Sequence, residues 1–115
     1  MRYIFLTFLF LYANSFFEKK NNLKILSYNI RYDNPDDGIN KWGNRKETII
    51  KYIKNNTPDI IGMQEVLNNQ LIDLQFFLNE YKFIGVGRED GKTKGEYSPI
   101  FFKPSKLKLD RKSVV

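Results

Sequence analysis

The stretch DIIGMQE at residues 59–65 decides how this chain folds. It contains the apolar run Ile60 to Met63, with Pro58 before it and polar residues after it, a pattern typical of a short buried strand. Glu65 is then expected at the carboxyl end of that strand, where open α/β sheets place their chemistry. A carboxylate in this position is either a metal ligand or a solvated loop residue, and this stretch alone leaves both interpretations open.

A strand and a helix are predicted upstream of this stretch. Leu23 to Ile30 reads as the first strand, and a loop dense in turn-forming residues follows at residues 33–38. Residues 42–56 have helical character, and Pro58 prevents the helix from continuing. Its apolar face is formed by Trp42, Ile49, Ile53 and the adjacent Ile50. The order strand, helix, strand predicts a βαβ unit with parallel strands.

Asn29 lies near the carboxyl end of the first predicted strand, an unusual place for an amide that needs hydrogen-bond partners. If the two parallel strands are neighbours, Asn29 and Glu65 finish at the same edge of the sheet. One interpretation is that Asn29 caps the following loop. The other is that its amide donates to a phosphate or holds a catalytic carboxylate, and both remain open on the residues alone.

The remaining elements follow in order. Residues 68–79 predict a second helix, whose apolar stripe packs on a sheet and consists of Leu67, Leu71, Leu74 and Leu78. Residues 81–86 (Tyr81 to Val86) predict a third strand, and residues 97–103 (Tyr97 to Lys103) predict a fourth. Because Pro lacks the N–H of a strand, Pro99 predicts an edge strand or a bulge in the first half of the fourth. The two glycines at 85 and 87 are too few for a dinucleotide fingerprint, and no helix follows them.

Composition limits the possible classes of function. The chain has 115 residues, enough for one small domain, and 19 Lys+Arg against 13 Asp+Glu give a net charge of +6. This modest excess suits an anionic partner such as phosphate, nucleic acid or acidic lipid. Because the chain contains neither Cys nor His, it excludes disulfides, thiolate or His-ligated zinc sites and Ser-His-Asp triads within these residues.

The first 15 residues have the layout of a secretory signal peptide. Arg2 supplies the positive charge, Tyr3 to Ala13 is almost wholly apolar, and small residues precede a cleavage point after Ser15. The apolar run is shorter than the ~20 residues of an ordinary membrane span. We therefore predict a secreted or periplasmic protein without integral membrane association, with residues 16–22 as a linker. An uncleaved N-terminal anchor is the alternative.

Two motifs together resemble a known family. ILSYNIR at residues 25–31 and PDIIGMQE at residues 58–65 look like the first two motifs of the endonuclease/exonuclease/phosphatase superfamily, the deoxyribonuclease-I-like metal-dependent phosphoesterases. Residues 87–103 resemble a bacterial secreted-type branch of it. The resemblance implies an α/β (α+β) fold, namely the N-terminal part of a two-sheet β-sandwich flanked by helices, over residues 23–109. Residues 110–115 depart from the pattern and are predicted to be an unstructured or spurious tail.

The resemblance also implies roles for single residues. Glu65 matches the family's carboxylate ligand for Mg²⁺ or Mn²⁺, and Asn29 matches its strand-end Asn, which helps to hold the metal or the phosphate oxygens. Both are therefore predicted catalytic and metal-binding residues. Gln64 is expected to be at most indirectly involved, and the role of Glu96 is open. Three arginines could contact substrate phosphate or could be structural or solvated, namely Arg31, Arg45 and Arg88.

Important parts of the family pattern are missing. No Gly-Asp-x-Asn motif and no Ser-Asp-His motif occurs, so the expected general base and the catalytic His are lacking. The prediction is a fragment of a secreted Mg²⁺-dependent phosphoesterase, inactive as this chain, whose substrate class is a phosphate ester such as nucleic acid, a phospholipid head group or a small phosphodiester. No stable protein partner is predicted. The alternatives are a non-catalytic phosphate- or nucleic-acid-binding half-domain and an α/β domain with a structural or interaction role.

Overall fold

The computed structural model describes residues 22–110 of the chain. The predicted signal peptide, nearly all of the predicted linker and the last five residues of the predicted tail lie outside the described residues. Within the part that is described, no helix is both long enough and apolar enough to cross a membrane.

The secondary structure follows the predicted order of strands and helices. It comprises strand β1 (Ile25–Asn29), a 3₁₀ helix (Pro35–Asn40), helix α1 (Trp42–Asn56), strand β2 (Ile60–Gln64), helix α2 (Asn68–Phe77), strand β3 (Lys82–Ile84) and strand β4 (Ile100–Phe102). The bounds of α1 agree with the prediction. Helix α2 ends two residues earlier than predicted, and the strands β1, β3 and β4 are shorter than the predicted segments.

Local chemistry explains the boundaries around α1. The loop predicted after β1 contains the 3₁₀ helix, because the Asn34 side chain accepts a hydrogen bond from the Asp36 N–H at 3.0 Å and caps it. At the other end Thr57 adopts the left-handed conformation (φ 46°), and its N–H donates to the Ile53 carbonyl at 2.9 Å. Pro58 follows and cannot extend the helix.

The four strands form one mixed sheet in the order β1-β2-β4-β3. Strands β1 and β2 are parallel neighbours joined by α1, which confirms the predicted βαβ unit, whereas β4 runs antiparallel to both β2 and β3. Strand β4 lies inside the sheet, so Pro99 does not mark an edge strand. The predicted fourth strand is instead interrupted there: Tyr97 forms an isolated bridge with Val66, and regular pairing resumes at Ile100.

The helices cover one face of this sheet. Ile61, Met63 and Phe101 point to that face and are buried against apolar residues of both helices. In α1 the whole predicted apolar face is buried, and in the leucine stripe of α2 the residues Leu71, Leu74 and Leu78 are buried while Leu67 is only partly covered. The opposite face carries Ile25 and Ile100, whose exposures of 68% and 47% show that the described residues leave it largely open.

Candidate functional site

The parallel register of β1 and β2 brings Asn29 and Glu65 together. Asn29 pairs with Gln64 at the last position of both strands, so Glu65 follows directly at the same edge. The Asn29 side-chain Nδ2 donates a hydrogen bond of 2.8 Å to Glu65 Oε1. The predicted convergence of these two residues, 36 positions apart in the chain, is therefore confirmed.

Asn29 serves two neighbours at once. Its Oδ1 accepts a hydrogen bond of 2.9 Å from the Arg31 N–H, which caps the loop that leaves β1. Its Nδ2 holds the Glu65 carboxylate, as described above. The two interpretations of Asn29 are thus compatible, because an amide offers an acceptor on one side and donors on the other.

Glu65 is held in an unusual backbone conformation. Its φ of 58° lies in the left-handed region, which non-glycine residues rarely adopt. The carboxylate accepts from Asn29 through Oε1 and from the Tyr32 N–H, at 3.4 Å, through Oε2. Strained residues of this kind cluster at functional sites, where the surrounding structure keeps them in place.

The surroundings keep Glu65 ionised. The hydrogen bond from Asn29 lowers the pKa of the Glu65 carboxyl below its ordinary value, and the Tyr32 N–H and the positive charge of Arg31 act in the same direction against partial burial. An ionised carboxylate is the form that a cation requires as a ligand. This edge of the sheet therefore presents a negative oxygen pair to solvent.

The arginines considered for phosphate binding all have protein partners. Arg31 forms a two-point ion pair with Asp37, with both N···O distances 2.6 Å. Arg45 donates to the carbonyls of Ile30 (2.6 Å) and Arg31 (3.2 Å), and also to Asn40. These contacts favour structural roles, in which Arg31 and Arg45 brace the loop beside the site.

Among the described residues, the other candidates from the sequence make no side-chain hydrogen bond to the Asn29–Glu65 pair, although Gln64 is the strand partner of Asn29. Gln64 Nε2 donates to the Gly62 carbonyl at 3.2 Å rather than to the pair. Arg88 forms an ion pair of 3.1 Å with Glu96, which gives both residues a partner in the loop before β4. The structure thus joins Arg88 to Glu96 but brings neither into contact with the candidate site.

Gln70 is a residue of this region that sequence reasoning missed. It lies in the first turn of α2, is fully buried, and makes hydrogen bonds to backbone groups of Arg31, Asp33 and Leu67. A Gln three positions after a helix N-cap is half of a capping-box pattern, and this was the available signal. Its hydrogen bonds to the loop after β1 join residues 37 and 39 positions apart, so no local sequence pattern predicts them.

A divalent cation fits the chemistry of this edge in a limited way. Within residues 22–110 no group of three or more acidic, His or Cys side chains is close enough together to hold a metal ion. Mg²⁺, however, is commonly held by one or two carboxylates and otherwise by water and substrate oxygens. Glu65 supplies an ionised carboxylate that suits a hard cation. Asn29 turns its Nδ2 towards that carboxylate and its Oδ1 towards the Arg31 N–H, so in this arrangement it orients the carboxylate and offers no oxygen beside it.

Comparisons with known proteins support a family assignment. The chain matches no protein-family model and no curated protein sequence. Among solved structures it resembles an endonuclease/exonuclease/phosphatase from Bacteroides vulgatus, with 52% identity, a TM-score of 0.71 and coverage of 72% of this chain. It also resembles a mannosyl-6-phosphatase from Bacteroides thetaiotaomicron, with 41% identity, a TM-score of 0.70 and coverage of 73%. The 2',3'-cyclic phosphatase ANGEL2 follows with 25% identity, a TM-score of 0.60 and coverage of 72%.

These matches involve only part of each related protein. The chain spans 32% of the length of the two Bacteroides proteins and 27% of ANGEL2. Over that part the agreement covers both sequence and fold, including the mixed sheet with its two helices. The chain therefore belongs to the endonuclease/exonuclease/phosphatase superfamily, and it spans about a third of the length of the Bacteroides proteins that it matches.

Proposed function

We propose that this chain is the part of a secreted, Mg²⁺-dependent phosphoesterase that supplies the metal-binding edge of the active site. The observation that carries the proposal is the 2.8 Å hydrogen bond from Asn29 to an ionised Glu65 at the carboxyl edge of two parallel strands. Two similar proteins carry the names mannosyl-6-phosphatase and 2',3'-cyclic phosphatase. This supports a phosphate ester as the substrate class.

Each residue of the edge has a defined task in this proposal. Glu65 binds the cation through its carboxylate, and Asn29 fixes Oε1 so that the carboxylate keeps one orientation. The Tyr32 N–H restrains Oε2 from the other side. A cation bound here would supply charge stabilisation for the phosphoryl group and the leaving oxygen.

The same residues do not complete a catalytic site. The sequence contains no His, and the Gly-Asp-x-Asn pattern that would provide a water-activating Asp is absent. We therefore expect the 115-residue chain to bind Mg²⁺ weakly and to turn over no phosphate ester. Incubation with Mg²⁺ and a generic phosphodiester tests this expectation, and turnover that is abolished by Glu65→Ala would contradict it.

Metal binding is best tested by NMR with Mn²⁺ as a paramagnetic probe for the same site. We expect selective broadening of amide signals from residues 29–32 and 64–66, and loss of this broadening in Glu65→Gln, which removes the charge but keeps the shape. Glu47→Gln is the matched control, because Glu47 is an exposed acid on α1. Equal broadening in Glu65→Gln and in the unmodified chain would refute the metal role of Glu65.

Secretion is a separate part of the proposal. Expression of the chain in a bacterium with an intact export pathway should yield a periplasmic or extracellular product that has lost residues 1–15. Mass spectrometry of the mature N-terminus provides the measurement. A cytoplasmic product that retains Met1 would contradict the assignment of the signal peptide.

The alternative of a non-catalytic module that binds phosphate or nucleic acid receives less support. Its main basis is the net charge of +6, but Arg31, Arg45 and Arg88 are all engaged with protein groups. That module would bind a single-stranded oligonucleotide without metal and with a steep dependence on salt concentration. A binding titration at two salt concentrations, in the presence of a chelator, separates the two functions.

A further inference from the structure

Gln70 is a buried amide whose polar groups all have backbone partners. Its side chain is fully covered, and an uncompensated amide there would be costly. Oε1 accepts hydrogen bonds from the Leu67 N–H at 2.9 Å and from the Asp33 N–H at 3.1 Å. Nε2 donates to the Arg31 carbonyl at 2.9 Å.

These three partners belong to the two loops that carry the candidate site. Arg31 and Asp33 follow β1 and Asn29, whereas Leu67 follows β2 and Glu65. One side chain therefore fastens both loops to the first turn of α2. The loop after β1 needs such support, because Arg31 adopts the left-handed conformation with φ 57°.

One of the contacts acts on a group that touches Glu65. The Arg31 carbonyl and the Tyr32 N–H belong to the same peptide unit, which is planar and trans, so the two groups point in opposite directions. Gln70 Nε2 binds the carbonyl at 2.9 Å, and the N–H on the other side donates to Glu65 Oε2 at 3.4 Å. Gln70 therefore restrains the rotation of this peptide about the chain, together with Arg45, which donates to the same carbonyl at the longer distance of 3.2 Å.

We propose that Gln70 is a positioning residue for the metal-binding edge, acting through the Arg31–Tyr32 peptide on the Glu65 carboxylate. This inference rests on the proposed function, because it takes Glu65 as the metal ligand. Residues that orient a ligand from behind typically affect metal affinity by about 10- to 100-fold when they are replaced. An amide that served only to fill the core would affect stability without changing the affinity of the folded chain.

The experiment compares Mn²⁺ affinity among folded variants, measured by NMR well below each unfolding temperature. Gln70→Met keeps the length of the side chain but removes all three hydrogen bonds, and we expect it to weaken Mn²⁺ binding about 10-fold. Gln70→Asn retains an amide on a shorter side chain and should also weaken Mn²⁺ binding. It replaces the Met variant in the comparison if Gln70→Met does not fold. Gln75→Met, at an exposed position of the same helix, should leave the affinity unchanged.

A stability control distinguishes positioning from packing. Leu74 is fully buried in α2, and Leu74→Ala should destabilise the fold without altering the Mn²⁺ affinity of folded molecules. The proposal would be overturned if Gln70→Met bound Mn²⁺ as tightly as the unmodified chain, or if Leu74→Ala weakened binding equally. Failure of the unmodified chain to bind Mn²⁺ would instead refute the proposed function.

A second readout needs no metal. The chemical shifts of the Tyr32 amide proton and the Asn29 side-chain amide should change in Gln70→Met and remain unchanged in Gln75→Met, because only the first variant releases the peptide that faces Glu65. Unchanged shifts in Gln70→Met would show that other contacts orient this peptide. This outcome would overturn the positioning role even if the metal assignment of Glu65 held.

Discussion

Replacing Glu65 by Gly and by Ala should reveal the backbone strain that the site carries. Both variants lose the hydrogen bond from Asn29, so their difference isolates the left-handed backbone at φ 58°. A side chain with a Cβ costs about 1–2 kcal/mol in this conformation, whereas glycine adopts it freely. The Gly variant in turn loses about 0.5–1 kcal/mol of stability relative to the Ala variant, because glycine has more conformational freedom in the unfolded chain. We therefore expect Glu65→Gly to be more stable than Glu65→Ala by about 0.5–1 kcal/mol.

Urea unfolding followed by tryptophan fluorescence provides the measurement. Trp42 is the single tryptophan of the chain and is 3% exposed, so its emission should report the loss of the core. In thermal unfolding, a difference of 1 kcal/mol corresponds to about 4–8 °C for a domain of this size. A Glu65→Ala variant at least as stable as Glu65→Gly would refute the reasoning about strain.

Glu47 is a control that should show the opposite sign. It is exposed within α1, where Gly is less favourable than Ala by about 1 kcal/mol. Glu47→Gly should therefore be less stable than Glu47→Ala. Opposite orders at positions 47 and 65 would show that the strain belongs to Glu65, where it keeps the carboxylate beside Asn29.

Three further predictions concern the stability of the fold. Leu74→Ala should lower the free energy of unfolding by about 2–5 kcal/mol, measured by urea unfolding, because Leu74 is fully buried. The Lys106 ammonium, together with the Lys24 N–H, lowers the pKa of Asp59. The free energy of unfolding should therefore decline as the pH falls below about 4, where the unfolded chain takes up the proton first. Asp59→Asn should weaken this dependence in acid titrations. Burial raises the pKa of Tyr81 to about 12. The free energy of unfolding should therefore decline as the pH rises above about 10, because the unfolded chain releases the phenol proton first. Tyr81→Phe should remove this contribution in alkaline titrations.

Local patterns were sufficient for the elements that frame the site. Helix α1 could be predicted with its bounds because its apolar face recurs with helical spacing and Pro58 ends it. The β1-α1-β2 order then implied parallel strands, and parallel strands bring their carboxyl ends to one edge. The meeting of Asn29 and Glu65 followed from these two rules.

Other features depended on contacts between distant parts of the chain. The interruption of the fourth strand at Pro99 and the shortness of β3 depend on which backbone groups find partners across the sheet. The pairing of Arg31 with Asp37 and of Arg88 with Glu96 also depends on how their loops fold. Charge and residue type alone left open whether these arginines bind phosphate or have structural or solvated roles.

The sequence by itself indicated a resemblance to the family, and it determined the order of elements and the two residues that face each other at the edge of the sheet. Only the tertiary structure decided that Glu65 takes the left-handed conformation and that Gln70 braces the peptide facing it. The physical reason is that a hydrogen bond across more than 30 positions leaves no periodic trace in the sequence. Its donor and acceptor become partners only after the strands and helices have packed.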